Sequence, residues 1–135
     1  MKQYKKVLKV KSDGTDQFFN LSYEVEDCVR KSNISEGLCV VFSQHTTSAV
    51  FLEYDKESLH KDWDKMLKAV YGEDTEYKID SKSAGIPHLK QMILGASVTV
   101  PISDGRLDLG PHQYIMYGDF NMSREKSIIV KIIGE

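Results

Sequence analysis

The sequence is short of the features that would place it in a specialised class. It has only two cysteines in 135 residues, Cys28 and Cys39. They lack the short paired spacing of a zinc site, and each is followed by a valine, as a small buried apolar residue would be. No apolar run approaches the roughly 20 residues that a bilayer-spanning helix needs, so no membrane partner is expected. Strand-like residues begin almost at once, with no leader visible, and a reducing, cytoplasmic setting is the expectation. An excess of one charge is missing too: 18 basic residues face 20 acidic ones, a net charge of −2. A nucleic-acid partner would need a clustered basic face, so none is expected. Lys5, Lys6, Lys9 and Lys11 sit in an alternating stretch and read as the wet side of a strand. There is no Gly-x-Ser-x-Gly turn, no glycine loop to cradle phosphates and no His-x-x-Glu-His. Repeats, low-complexity segments and linkers are also absent.

What remains is the pattern of one ordinary globular domain over residues 1–135, 41% hydrophobic and 28% charged, long enough to build a core without disulfides. Tyr4 to Lys11 alternates as a half-buried strand does. Asp13-Gly14 signals a turn, and Phe18-Phe19 a second short strand. Asn20 or Ser22 can cap a helix with apolar Val25, Cys28 and Val29, which Ser32-Asn33 ends. Gly37 introduces the dense run Leu38 to Phe42. A second run, Ala49 to Leu52, follows a polar break from Ser43 to Ser48. A helix capped by Asp55 carries the stripe Leu59, Trp63, Met66, Leu67 and Val70. Gly72 to Gly85 reads as a polar loop of about 14 residues, long enough to suggest that it serves a site. Pro87 suits the first position of a short helix, His88 to Leu94, closed by Gly95. Strands at Ser97–Ile102, His112–Tyr117 and Ile128–Ile133 complete an α+β chain. The expected fold is a single mixed or antiparallel sheet, curled toward a barrel and packed with two or three helices.

Two histidines stand out. His45 interrupts two apolar strands beside Thr46, Thr47 and Ser48, whose hydroxyls and N–H groups can orient an imidazole or hold an anionic oxygen. The bland alternative is a turn histidine satisfied by its neighbours. His88 opens a helix, where the positive dipole end favours neutral imidazole, the form that a general base or metal ligand requires; otherwise it is a surface residue. Glu53 at a strand end can orient a histidine or act as an acid or base. His60 is placed on the wet face of its helix.

The ordered set Gln44-His45-Thr46-Thr47-Ser48-Ala49, Glu53, Asp62, Pro87-His88-Leu89-Lys90, Leu94-Gly95, Pro101, Gly105-Arg106-Leu107, Leu109-Gly110, Gln113 and Arg124 resembles the YjbQ family, small proteins sometimes labelled secondary thiamine-phosphate synthases. The resemblance runs over essentially the whole chain. It implies a compact sheet-and-helix fold, a homotrimer with a histidine site near the subunit boundary, and a transferase that joins an aminopyrimidine diphosphate to a thiazole phosphate. His45 and His88 match the family's histidines, Glu53 its acidic residue without the flanking asparagines, and Arg124 its first C-terminal basic residue. Two departures follow. The family's additional histidine before His88 has no counterpart in Tyr77-Lys78-Ile79-Asp80, and Pro111-His112-Gln113 has lost a tryptophan. Together they suggest that His112 replaces the missing ligand, giving a divalent-metal site, such as zinc, on His45, His88 and His112. The leading expectation is an enzyme acting on a small phosphorylated molecule, with Thr46, Thr47, Ser48 and Arg124 holding phosphate. The alternatives are a non-catalytic trimeric module that binds an anion or metal, and a purely structural oligomer.

Overall fold

The computed structural model describes residues 1–13, 16–72, 82–121 and 124–135. In chain order the elements are β1 (Lys2–Val10), β2 (Gln17–Asn20), α1 (Ser22–Ser32), β3 (Gly37–Ser43), β4 (Ser48–Glu53), α2 (Glu57–Tyr71), α3 (Lys82–Leu94), β5 (Ser97–Ser103), β6 (Arg106–Leu107), β7 (Tyr114–Asp119) and β8 (Lys126–Gly134). The α+β expectation holds, and the curl with it. The ladder itself is divided: β1-β8-β3-β5-β6 form one sheet and β2-β7-β4 a second, and every pairing is antiparallel.

The two sheets enclose one core because their strands alternate cleanly. On β8, Ile128, Val130 and Ile132 are fully buried, and on β3 so are Cys39 and Val41. The intervening Leu38, Phe42 and Ile133 face outward and are exposed. Each buried aliphatic side chain contributes about 1.5–3 kcal/mol relative to exposure. Helix α1 completes this core with Val25, Cys28 and Val29. It begins where the Asn20 side-chain oxygen accepts the Ser22 N–H at 3.0 Å and ends at Asn33 in the left-handed conformation, φ 56°. Both thiols are free and buried, and burial pushes Cys39 up to about 12. They are apolar filling, as read from the sequence.

A second, aromatic core lies on the other face of β2-β7-β4. Phe18 meets Phe51, His60, Trp63 and Phe120 at ring separations of 5.2–6.2 Å. A Cβ on Gly118 would come within 2.9 Å of the Phe120 ring and 3.1 Å of the Phe18 ring, so any larger residue there must displace those rings. Helix α2 starts at Glu57 with Lys56 as its N-cap residue, not Asp55. The Asp55 carboxylate instead accepts from Asn20 Nδ2 at 3.0 Å. The stripe expected on α2 is turned by part of a helical step: Leu67 and Tyr71 are buried, whereas Met66 and Val70 are exposed.

Helix α3 corrects a further expectation. It begins at Lys82 and contains Pro87, so Pro87 is not its first residue and His88 is not at a helix N-terminus. The dipole argument for a neutral His88 is thereby removed. The C-terminal part of the expected 72–85 loop is helix, and residues 73–81, including Asp80 and Ser81, lie outside the described residues. Among the described residues no helix is long and apolar enough to cross a membrane.

Candidate functional site

The inward faces of the core strands are apolar along most of their length and turn polar together at one end. On β3 the sequence Cys39, Val41 leads to buried Ser43; on β8, Ile132, Val130, Ile128 lead back to buried Lys126. The core-facing side of β7 passes from Ile115 through Tyr117 to Asp119, which lies opposite Ser48 of β4. Ser12, just past β1, is buried at the same end. This polar end faces the 43–48 break that the sequence singled out.

A buried ion pair organises it. Lys126 and Asp119 are 1% and 0% exposed, with Nζ 3.4 Å from Oδ1. Burying two charges is costly unless their remaining hydrogen-bonding capacity is met. Here most of it is: Ser12 Oγ donates to Asp119 Oδ2 at 2.8 Å, the Asn121 N–H donates to Oδ1 at 3.2 Å, and Lys126 Nζ donates to Thr47 Oγ1 at 3.0 Å. The Phe120 N–H to the Thr47 carbonyl, 3.1 Å, ties the break to the end of β7. Ser43 and Ser48 share a hydroxyl–hydroxyl bond of 2.9 Å. The buried Tyr117 hydroxyl is beside both serines without a well-formed hydrogen bond to either, and burial pushes its pKa up to about 12.

His45 sits at the lip of this end. Its Nε2 accepts the Ser127 N–H at 2.9 Å. Burial first, then the Lys126 and Arg124 charges, hold its pKa below the ordinary histidine value. The neutral imidazole with an occupied Nε2 carries its proton on Nδ1. The ring lines a cleft of about 370 Å³ with Phe42, Ser43, Gln44, Thr46, Gln91 and Ala96. Gln91 reaches it because the end of α3 is tied to both sheets: the Gly95 carbonyl accepts from Val50 N and the Ala96 carbonyl from Ser43 N.

The residues proposed from sequence are thus only partly assembled. His45, Thr46 and Thr47 are at the cleft or its polar floor, and Arg124, exposed, is close enough for its charge to act on His45. Ser48 is buried and bonded to Ser43, turned from solvent. His88 is half-buried on α3, one turn before Gln91, and does not line the cleft. Glu53 is at the far end of β4, exposed, with its carboxylate on the Tyr54 N–H at 2.9 Å; it does not orient His45. His112 stacks on Tyr54 at 5.0 Å, also beyond the far end of β4, a strand whose six residues span about 16 Å. The three imidazoles of His45, His88 and His112 are therefore not gathered within one chain. Among the described residues no three His, Cys, Asp or Glu side chains are placed to share a metal ion. His60 is not on a wet face: its ring packs against Phe18 at 5.2 Å and Trp63 at 4.9 Å.

Sequence reasoning missed Asp119, Lys126, Ser12, Tyr117 and Gln91. One signal was present. Lys126 has the same parity as Ile128, Val130 and Ile132, so strand alternation alone aims it inward.

The fold and this end define a small α+β protein, with two antiparallel sheets and three helices among the described residues and a histidine-lined cleft where the strand interiors turn polar. Over residues 6–135 the chain matches the family model described as UPF0047 protein YjbQ-like, and it belongs to that family. A UPF0047 protein from Methanothermobacter thermautotrophicus is 30% identical, covering 100% of this chain and 95% of its own length. The UPF0047 protein YugU of Bacillus subtilis is 27% identical over 96% of this chain and 98% of its own. Among solved structures, a YbjQ-like protein of unknown function from Sulfolobus solfataricus P2 superposes with a TM-score of 0.92 at 28% identity, covering 99% of both chains. An uncharacterised family member from Clostridium acetobutylicum does so at 0.87 and 29%, covering 95% of this chain and 99% of that one.

Proposed function

We propose that the protein handles a small phosphorylated metabolite in the His45 cleft, as a transferase of the thiamine-phosphate-synthase-like kind that the family resemblance suggests. The observation that carries this reading is a neutral imidazole with the exposed Arg124 charge near it and the buried Lys126 charge beneath, beside a cleft of about 370 Å³. That volume is within the usual range for small-molecule sites, and paired cationic and N–H donors are the chemistry that holds phosphate oxygens. The test is turnover of an aminopyrimidine diphosphate with a thiazole phosphate by the wild-type protein and by His45→Ala with its fold intact. Turnover lost in the variant supports the reading; no turnover by the wild type, with phosphate still bound, leaves a binding module.

That second reading has its own support. With Nε2 occupied by a backbone N–H, His45 has no free lone pair for general-base work, and an anion-binding role needs none. Either function is assigned here to a homotrimer. The outward face of the five-stranded sheet supports self-association, since Val7, Leu38, Phe42 and Ile133 are exposed on it and Phe42 also lines the cleft. A stable monomer in light scattering at micromolar concentration would end the trimer.

A further inference from the structure

The chemistry open to His45 depends on which ring nitrogen the protein has already used. A general base or a metal ligand offers a lone pair; a hydrogen-bond donor offers a proton. The backbone decides between them. Ser127 is in β8, its N–H fixed by the strand, and that N–H points at Nε2 from 2.9 Å. The backbone that carries the ring is held as well, since the main-chain N–H of His45 donates to Ser43 Oγ at 3.3 Å. Moving the proton to Nε2 would set two donors against each other. Nδ1 has no hydrogen-bond partner among the described residues, and it is not among the buried unpaired atoms. Among the described residues it is therefore an N–H with no acceptor and is not buried, on a residue that lines the cleft.

The surroundings say what it is offered to. The charged groups acting on the ring are Lys126 and Lys9 of β8 and β1, Arg124 just before β8, and Asp119 of β7. Asp119 and Lys126 are committed to each other and to Ser12, Asn121 and Thr47, and Lys9 donates to Ser127 Oγ, so among the described residues the uncommitted charge is the positive one of Arg124. Helix α3 contributes the uncharged Gln91 to the same cleft. An unpaired N–H in a positive field matches an oxyanion and opposes a metal cation.

We propose that His45 is a fixed, neutral hydrogen-bond donor whose Nδ1–H binds an oxyanion of the ligand, with Nε2 withheld from proton transfer and from metals. The proposal rests on the phosphate reading above and gives His45 a definite part in it.

Two substitutions separate the functions of the two nitrogens. In His45→Gln the side-chain oxygen can take the place of Nε2 and keep the Ser127 bond, but the Nδ1–H is lost. In His45→Asn the amide N–H can stand at Nδ1, while the Ser127 N–H loses its partner. With inorganic phosphate as probe, titrated calorimetrically against the full chain, His45→Gln should bind about tenfold or more weakly, the scale of one hydrogen bond to a charged group. His45→Asn should stay within about threefold of wild type despite lower thermal stability. A merely structural histidine would give the reverse order, with Gln binding normally, and that result overturns the proposal. A ¹⁵N–¹H spectrum of the wild-type imidazoles at neutral pH provides an independent reading: the proton of His45 on Nδ1 supports the donor, and on Nε2 overturns it. If wild type binds no phosphate even when the proton is on Nδ1, it is the phosphate reading that fails, and the oxyanion role falls with it.

Discussion

Neighbouring residues at the end of β7, Asp119 and Phe120, each meet a buried lysine, and the two lysines are held in different ways. Lys126 faces Asp119 with both charges out of water, and every partner of the pair is a fixed group of the protein. Lys90 is 3% exposed but lies 2.9 Å from Asp16 and 3.7 Å from Asp64, whose side chains are 36% and 35% exposed. Its amine also stands 5.8 and 5.5 Å from the centres of the Tyr71 and Phe120 rings. The first arrangement is a closed polar cluster beneath the candidate site. The second is a plug at the edge of the aromatic core, with carboxylates that water can still reach. Burial of the lysine alone does not distinguish them; the exposure of its partners does.

The comparison predicts that Asp119→Ala is the most damaging single change. It strands Lys126 without a counterion and leaves the Ser12 hydroxyl and Asn121 N–H unpaired, at a cost of about 3–5 kcal/mol. Urea unfolding of the wild type and the variant measures it. Pairing Asp119→Leu with Lys126→Met should recover much of that loss, because removing both charges removes the desolvation penalty as well. A loss below about 1 kcal/mol for Asp119→Ala would mean that Lys126 finds water once released, and the contrast with Lys90 would vanish.

Lys90→Met should cost much less, about 1 kcal/mol or under. The unbranched side chain keeps the packing of the lysine stem, while Asp16 and Asp64 are exposed enough to be solvated, which limits what the ion pairs contribute. The same urea experiment applies. A loss as large as that of Asp119→Ala would show that half-exposed carboxylates hold a buried amine as firmly as buried ones do.

The difference between these regions also explains what could be read from the chain. The apolar strands, the Asn33 helix end and the break at Ser43 to Ser48 were legible, since each depends on local periodicity or turn chemistry. His60 was not. Its neighbour Phe18 arrives from a strand about forty residues earlier, and only that contact shows that the inner stripe of α2 runs through His60, Trp63, Leu67 and Tyr71. Met66 and Val70 fit the period almost as well and are exposed. Pro87 was misread because a proline after a loop usually opens a helix, whereas α3 begins five residues before it. His112 was placed by matching a lost residue with a gained one. Strand register decides the matter instead: Glu53 pairs with Tyr114, so His112 belongs to the far end of β4. The Asp119–Lys126 pair joins residues from separate strands, and although strand parity aims Lys126 inward, nothing local names its partner.

The smallest expected effect concerns pH, and it bears on the polar end alone. In the folded protein His45 titrates below the ordinary histidine value of 6.5, because burial disfavours the charged ring and Lys126 and Arg124 repel it. The unfolded chain titrates at about the ordinary value. Between the two, the unfolded state binds more protons, so lowering the pH favours unfolding. The contribution of a neutral His45 is therefore complete above about pH 6.5 and is lost as pH falls through the folded value. Protonation would also set an Nε2–H against the Ser127 N–H that now donates to it. His45→Gln keeps an acceptor for Ser127 but cannot titrate, so the Tm of the variant should lack this component. Thermal melts of both proteins between about pH 5 and 7.5 should show the wild type losing ground to the variant below about pH 6.5. Parallel curves through that range would mean that the ring leaves Ser127 and reaches water without cost, and the polar end would then be as open as the Lys90 plug.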